Sequence, residues 1–258
     1  MSRLLIVGID ALDPQLLLKF RTHLPNISKM MDQSLKIESF SVIPPDTIPA
    51  WITIYTGVNP AKHGVIYAAN VFGSNWKQIN DIDPAIYKGK TFWDYASAKG
   101  KNVCVLFPQL TFPPWDVNGL MIGKSIGRIF GTKPEYLFNK YHIDCLSRFQ
   151  GNHPGPNKLQ QFSTEAKNLT RDEANIAFKI STDYKWDLFF VYFGWLDLVK
   201  HYFWRYCDEG DPTYPGENPH KNVIIDFYKL YDEIIGEFKK LHPDAIMVLM
   251  SDHGHGMR

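Results

Sequence analysis

Four short apolar runs constrain the fold of this 258-residue chain more than any other feature of the sequence. The runs carry no charged residue and span 4–9, 103–107, 188–193 and 245–250. A continuous apolar run of this length is typical of a strand that is buried on both faces of a sheet. Segments with helical periodicity separate the runs, which indicates parallel strands joined by helices. The sequence therefore predicts a three-layer α/β fold, with a mostly parallel central sheet and helices on both faces.

Proline positions, capping signals and periodicity place the helices. Pro14 and Pro49 stand in first turns, where a missing N–H costs nothing, and an amphipathic pattern covers 222–241. Thr91–Asp94 and Thr170–Glu173 fit the capping box that opens a helix. The predicted helices are 14–20, 48–56, 92–99, 170–184, 196–204 and 222–241, and two further short strands are predicted at 37–43 and 120–122.

The chain shows no repeat, linker or second core, so a single domain over residues 1–258 is predicted. Residues 66–90 are rich in Asn, Gly and aromatic residues and indicate a loop. Residues 123–161 have weak periodicity and frequent Gly and Pro. We expect this second segment to be an insertion that covers one end of the sheet, as a cap over a substrate.

Charge and cysteine content exclude several classes of protein. The net charge is +1, so no strong field attracts a nucleic acid polymer or an anionic membrane. The three cysteines are widely spaced and fit a reducing compartment better than a disulfide framework. The first apolar run is too short for a signal peptide or a membrane span. These features predict a cytoplasmic protein that acts on a small molecule; they do not indicate an oligomeric state.

Three aspartates follow apolar runs: Asp10, Asp197 and Asp252. The carboxyl ends of parallel strands line one crevice, so these side chains should meet in space. Three carboxylates would repel one another, and a divalent cation makes such a cluster tenable. Taken singly, an aspartate after a strand is equally well a turn residue or a helix cap. The joint arrangement is what indicates a metal site.

Two histidines extend the metal-site hypothesis. Asp197 and His201 are four residues apart on a predicted helix, hence on one face, although such a pair is more often an ordinary surface pair. Asp252 and His253 are adjacent in a Gly-rich loop that lets both turn toward the crevice. Mixed Asp and His ligands suit Zn²⁺, and also Mn²⁺ or Fe²⁺.

Thr47 is the candidate nucleophile. It follows two prolines and precedes the apolar helix 48–56, which predicts that it is the N-cap of that helix. A hydroxyl at the positive end of a helix, facing metal ligands, is placed to attack a phosphoryl group. The simpler interpretation is that Thr47 only caps the helix.

These motifs together resemble the type I phosphodiesterase/nucleotide pyrophosphatase family of the alkaline phosphatase superfamily. A sulfatase would carry Cys or Ser, within a C/S-x-P-x-R motif, in place of Thr47. The matching stretches span the chain in the family's order: 5–11 (LIVGIDA), 45–51 (PDTIPAW), 56–64 (TGVNPAKHG), 110–114 (LTFPP), Asp197 with His201, and 251–254 (SDHG).

The resemblance implies an alkaline-phosphatase-like sandwich with a two-metal site and a phosphothreonine intermediate on Thr47. One metal would be held by Asp10, Thr47, Asp252 and His253. The other would be held by Asp197, His201 and a histidine that family members supply from a later segment. The resemblance also implies an Asn on the phosphate, for which Asn70 is slightly out of register.

Family members continue well beyond the equivalent of Arg258, so we expect the chain to be the N-terminal part of a longer enzyme. With two ligands, the second site would hold its ion weakly and the 258 residues would be nearly inactive, unless His255 substitutes for the later histidine.

Three functions stay open. The first is hydrolysis of phosphodiester or pyrophosphate bonds in nucleotide-like substrates. The second is hydrolysis of phosphonates or phosphomonoesters, and the third is an inactive metal-binding homologue.

Overall fold

A computed structural model describes residues 3–43, 45–66, 83–125, 128–147 and 154–256. One six-stranded sheet runs through these residues in the order β4-β3-β2-β5-β1-β6. Its strands are β1 (Leu4–Ile9), β2 (Val103–Leu106), β3 (Gly119–Lys124), β4 (Phe130–Lys133), β5 (Leu188–Phe193) and β6 (Ile246–Met250). All neighbouring strands are parallel except β4, which pairs antiparallel with β3.

Helices cover both faces of the sheet. They are α1 (Pro14–Lys19), α2 (Pro25–Gln33), α3 (Thr47–Thr56), α4 (Pro60–His63), α5 (Phe92–Ala98), α6 (Leu137–Lys140), α7 (Leu159–Asp183), α8 (Trp195–Cys207) and α9 (Val223–Leu241). Alternate residues of β1 and β5 enter two separate cores, because side chains alternate along a strand. One core packs against α2, α7, α8 and α9, and the other against α3 and α5. The predicted three-layer α/β sandwich is confirmed.

No described helix is long and apolar enough to cross a bilayer. The cytoplasmic location stays a prediction.

The predicted strand at 37–43 is wrong. These residues form no strand, and Ile37, Phe40 and Ile43 are largely exposed. In a strand, Ser39 and Ser41 would share one face with Ile37 and Ile43, and Glu38 would share the other with Phe40, so neither face would be continuously apolar. Both edges of β1 are already paired, with β5 and β6, so the centre of the sheet offers no place for an additional strand.

The capping box predicted at Thr170 is also wrong. Helix α7 begins at Leu159, and Thr170 lies in its middle. The Thr170 hydroxyl donates to the Ala166 carbonyl at 2.8 Å, and the Glu173 side chain is fully buried. Threonine can satisfy its hydroxyl on the preceding helical turn, so a Thr-x-x-Glu pattern does not by itself mark a helix start. The capping box at Thr91 is confirmed, since Thr91 and Asp94 exchange both bonds.

The segment 123–161 begins within β3 and ends within α7. Among its described residues are the edge strand β4, which periodicity did not predict, and the short helix α6. Part of the expected insertion therefore extends the sheet. Its role as a substrate cap, and the single domain over 1–258, stay predictions.

Candidate metal and nucleophile site

Three neighbouring strands bring the predicted carboxylates to one edge of the sheet. Asp10 follows β1, Asp197 lies in the first turn of α8 directly after β5, and Asp252 follows β6. The Asp10 N–H donates to the Phe193 carbonyl at 2.9 Å and so extends the β1–β5 ladder by one residue. The carboxyl ends of adjacent parallel strands thus place these side chains together, as the sequence predicted.

Hydrogen bonds join the loops after β1 and β6. The Ala11 N–H donates to Asp252 Oδ1 at 3.2 Å, and the Leu12 N–H donates to Ser251 Oγ at 2.8 Å. Ala11 has a φ of 56°, which is unfavourable for a residue with a Cβ. The buried Lys200 ammonium donates to the Ala11 carbonyl at 2.7 Å and stabilises this turn. Asp10 and Asp252 are therefore fixed relative to each other.

Thr47 is the first residue of α3, not its N-cap. Asp46 is the N-cap, and its carboxylate accepts a hydrogen bond from the Ile48 N–H at 3.1 Å. The Thr47 hydroxyl is instead 3.0 Å from His253 Nε2 and 3.4 Å from Asp10 Oδ1. The sequence pattern fitted both residues because Asp and Thr are both good caps. The correction leaves the Thr47 hydroxyl directed at the carboxylates.

Two aromatic side chains orient Asp10. Tyr192 OH donates to Asp10 Oδ2 at 2.5 Å, and Trp51 Nε1 donates to the same oxygen at 3.2 Å. Trp51 crosses β1 at Gly8, where a Cβ would lie 2.6 Å from the indole ring. Because both donors bind Oδ2, Asp10 Oδ1 is the oxygen that faces Thr47 and His253.

Several donor atoms around His253 are as close together as the ligands of a metal ion. Besides its contact with Thr47, His253 Nε2 lies 3.5 Å from Asp10 Oδ1 and 3.3 Å from Asp252 Oδ2. Ligands about 2.0–2.2 Å from a tetrahedral zinc ion are about 3.3–3.5 Å apart. We call these four residues the buried cluster: Asp10, Thr47, Asp252 and His253. The four contacts within it, at 3.0–3.5 Å, are close to the spacing of zinc ligands.

A second group of donors lies beside the buried cluster. Asp197 Oδ2 and His201 Nε2 are 3.3 Å apart, and one donor atom from each of Asp197, His201 and His255 lies within 4.8 Å of the other two. We call Asp197, His201 and His255 the open cluster, because His201 is exposed and the other two are half-buried. Donor atoms of Asp10, Asp197 and His253 also lie within 4.8 Å of one another, so the two clusters adjoin.

Without a bound cation, keeping these buried carboxylates ionised is energetically unfavourable. Burial, followed by the charges of Asp252 and Asp197, raises the pKa of Asp10 well above its usual value. Burial also raises the pKa of Asp252 to about 7. For Asp197, burial raises the pKa, but His201 and His253 outweigh it and the pKa is lowered.

Two buried oxygens, Asp197 Oδ1 and Asp252 Oδ2, accept no hydrogen bond from any residue that the structure describes. Buried polar atoms are normally satisfied, so these two oxygens fit a bound metal ion.

Two buried lysines lie near the carboxylates. Lys200 Nζ is bound to the Ala11 carbonyl and to Tyr228 OH, and Lys124 Nζ lies 4.7 Å from the centre of the Tyr192 ring. Burial lowers the pKa of each to about 8. Within the described part of the chain, neither makes an ion pair with the three aspartates. The two lysines interact with Asp10 electrostatically but are not paired with the carboxylates.

Sequence reasoning missed the roles of Trp51 and Tyr192. Trp51 lies in the family motif 45–51, but the motif gave it no role. Tyr192 was predicted only to be one of the apolar residues of a buried strand. The sequence signal for the role of Tyr192 was its position near the end of a buried strand, from which a tyrosine hydroxyl can reach the edge of the sheet. Asn70 lies outside the described residues.

Comparisons with known proteins agree with this architecture. The sequence matches the family described as type I phosphodiesterase/nucleotide pyrophosphatase over residues 4–257. No curated protein matches the chain. The fold is similar to two crystal structures of phosphonoacetate hydrolase from Sinorhizobium meliloti 1021, in complex with phosphonoformate (TM-score 0.65) and with phosphonoacetate (TM-score 0.64).

Each comparison with this hydrolase has 18% sequence identity and covers 98% of this chain but 56% of the hydrolase. The chain thus spans just over half the length of that protein, and at this identity the likeness concerns the fold. The family match, in contrast, extends over almost the whole chain. The chain belongs to the type I phosphodiesterase/nucleotide pyrophosphatase family.

Proposed function

We propose that this protein is a metal-dependent hydrolase of phosphodiester or pyrophosphate bonds in small, nucleotide-like substrates. The observation that carries the proposal is the position of the Thr47 hydroxyl. It lies at the start of α3 and within 3.0–3.4 Å of two candidate metal ligands, His253 and Asp10. A threonine that served only to start the helix would not need its hydroxyl next to these two residues.

The buried cluster would hold one divalent cation through Asp10, Thr47, Asp252 and His253. Asp197 and His201 would belong to a second cation. Zinc suits these donors best, and manganese or iron are the alternatives. Bound cations would supply positive charge that lowers the pKa of the Thr47 hydroxyl and offsets the charge of the phosphoryl oxygens.

Thr47 Oγ1 would then attack phosphorus in line with the leaving oxygen. The hydroxyl proton passes to solvent, the new Oγ–P bond forms, and the bond to the leaving group breaks, giving a phosphothreonine. Attack by water on the same phosphorus releases the phosphate product and restores the threonine. The N-terminus of α3 favours the negative charge that develops there.

A phosphonate or phosphomonoester hydrolase is the second candidate. The fold comparison favours it, because the similar structures are those of a phosphonoacetate hydrolase. The same Thr47 chemistry would serve these substrates. A metal-binding homologue without turnover is the third candidate.

Turnover of three substrates tests the proposal: bis-p-nitrophenyl phosphate, p-nitrophenyl phosphate and phosphonoacetate. We expect the diester to be preferred, with activity that depends on added Zn²⁺, Mn²⁺ or Fe²⁺. Preference for phosphonoacetate or the monoester would favour the second candidate. No turnover of any substrate by protein that has bound both cations would favour the third.

A further inference from the structure

Lys200 is a buried lysine to which the proposed chemistry gives no part. Its side chain is fully buried in α8, three residues after Asp197, and it makes no ion pair within the described residues. A buried ammonium is unfavourable unless it is well bound, and an apolar side chain of similar size would fill the same space without that penalty. The two groups that Lys200 binds therefore indicate why a lysine stands here.

Lys200 binds the segment that follows β1. Its ammonium donates to the Ala11 carbonyl at 2.7 Å and to Tyr228 OH, on α9, at 3.0 Å. The Asp13 N–H donates to the same tyrosine oxygen at 3.1 Å. Lys200 and Tyr228 together thus hold both ends of the segment 11–13 and join it to α8 and α9.

The segment 11–13 needs this support because its first residue is strained. Ala11 has a φ of 56° although it carries a Cβ, and it is completely buried. A backbone conformation of this kind persists only where the surroundings hold it, and it is found most often at functional sites. The bond from Lys200 to the Ala11 carbonyl opposes relaxation of this turn.

The turn at Ala11 determines where Asp10 points. Asp10 directly precedes it, and Asp10 Oδ1 lies 3.4 Å from the Thr47 hydroxyl. If the turn relaxed, the Asp10 carboxylate would shift relative to Thr47. A misplacement of about 1 Å at a reacting centre can lower the rate about 100-fold.

We infer that Lys200 is a positioning residue, which holds the turn at Ala11 and thereby keeps Asp10 directed at Thr47. This inference deepens the proposed function and rests on it for the role of Asp10. Lys200 acts through the Ala11 carbonyl and has no contact with substrate. Its substitution should therefore affect the loop after β1 and the rate of turnover, but neither the fold nor the binding of substrate.

Amide hydrogen exchange in the metal-free protein tests the first half of the inference. Lys200→Met removes the ammonium and keeps an unbranched side chain. We expect exchange at Leu12 and Asp13 to become at least about 10-fold faster, because a hydrogen bond from a charged donor contributes about that factor or more. Exchange in α7 and α9 should stay the same. The melting temperature should change little, since relief of the buried ammonium offsets the lost bonds.

Two further variants serve as control and as a test of the route. Lys179→Met alters an exposed lysine of α7 and should change none of these rates. Ala11→Gly removes the strain of the positive φ, so the turn should depend less on Lys200. The effects of Lys200→Met and Ala11→Gly on exchange should therefore not add, as is typical of residues that act on one another.

Turnover of the metal-loaded protein tests the second half. In Lys200→Met, kcat should fall by about 10–100-fold with little change in KM, because Lys200 affects the reacting geometry and does not bind substrate.

Unchanged exchange at Leu12 and Asp13 in Lys200→Met would overturn the inference. So would faster exchange throughout the protein with a lowered melting temperature, which is the result for a lysine that only supports the fold. Additive effects with Ala11→Gly, or an unchanged kcat in an active protein, would also overturn it. If exchange rises only in the loop after β1 and the unaltered protein hydrolyses none of the three substrates, Lys200 does hold the turn, and only the proposed hydrolase function fails.

Discussion

The buried cluster and the open cluster use the same kinds of donor but are built differently. Asp10 and Asp252 of the buried cluster are 1% and 6% exposed, and partners from α3, β5 and the loop after β1 hold their carboxylates. The open cluster depends on one helix and one loop, and His201 is exposed. We propose a matching division of roles, in which the buried cluster holds Thr47 in a fixed geometry and the more exposed open cluster adapts to the substrate.

Removing the proposed nucleophile, Thr47, should produce the largest effect. Thr47→Ala is expected to lower kcat by roughly 10⁴-fold or more, because no other group replaces a lost nucleophile. The melting temperature should change little, since Asp46 and not Thr47 caps α3. Thr47→Ser retains a hydroxyl and should keep part of the activity. Equal turnover by Thr47→Ala and the unaltered protein would rule out a covalent mechanism through Thr47.

The two clusters should respond differently to pH when metal is absent. The folded-state pKa of Asp252 is raised to about 7, and that of Asp10 is also raised, so the folded protein holds protons that the unfolded chain has released. The free energy of unfolding should therefore fall as pH rises from about 4 to 7, by a few kcal/mol.

Chemical denaturation in the presence of a chelator, across pH 5–8, measures this slope, and added Zn²⁺ should reverse it. Asp252→Asn is the matched variant, because it removes the titrating group, and it should flatten the slope. The lowered pKa of Asp197 acts with the opposite sign only below about pH 4, outside this range, so the open cluster should leave the slope unchanged. A metal-free protein that becomes more stable from pH 5 to 7 would contradict the raised pKa values of Asp10 and Asp252.

Tyr192 and Trp51 orient the Asp10 carboxylate, so removing one of these donors should weaken metal binding. Tyr192→Phe removes the donor to Asp10 Oδ2 and should weaken metal binding at the buried cluster by about 10–100-fold. Tyr87→Phe is the matched control, because the Tyr87 hydroxyl is buried and has no hydrogen-bond partner in the described part of the structure. Calorimetric titration with Zn²⁺ compares the two, and equal affinities would show that Tyr192 only fills the core.

The sequence predicted those parts of the site that depend on strand ends. Asp10, Asp197 and Asp252 could be placed together because parallel strands share one carboxyl edge, whatever the details of packing. Tyr192 and Trp51 could not be assigned, since their contacts with Asp10 depend on how α3 crosses β1 above Gly8. The start of α7 was missed because propensity does not distinguish a threonine that caps from one that bonds to the preceding turn.

The smallest effect is expected at Asp46, at the start of α3, where a variant distinguishes helix capping from catalysis. Asp46→Ala removes the acceptor of the Ile48 N–H and should cost about 1 kcal/mol, a fall of about 2–4 °C in melting temperature. Asp46→Asn keeps an acceptor at the same place and should lose much less. If Asp46→Ala left the melting temperature unchanged and Thr47→Ala lowered it by this amount, Thr47 would be the cap after all. Its hydroxyl would then be engaged by the helix, and the case for Thr47 as a nucleophile would lose its geometric basis.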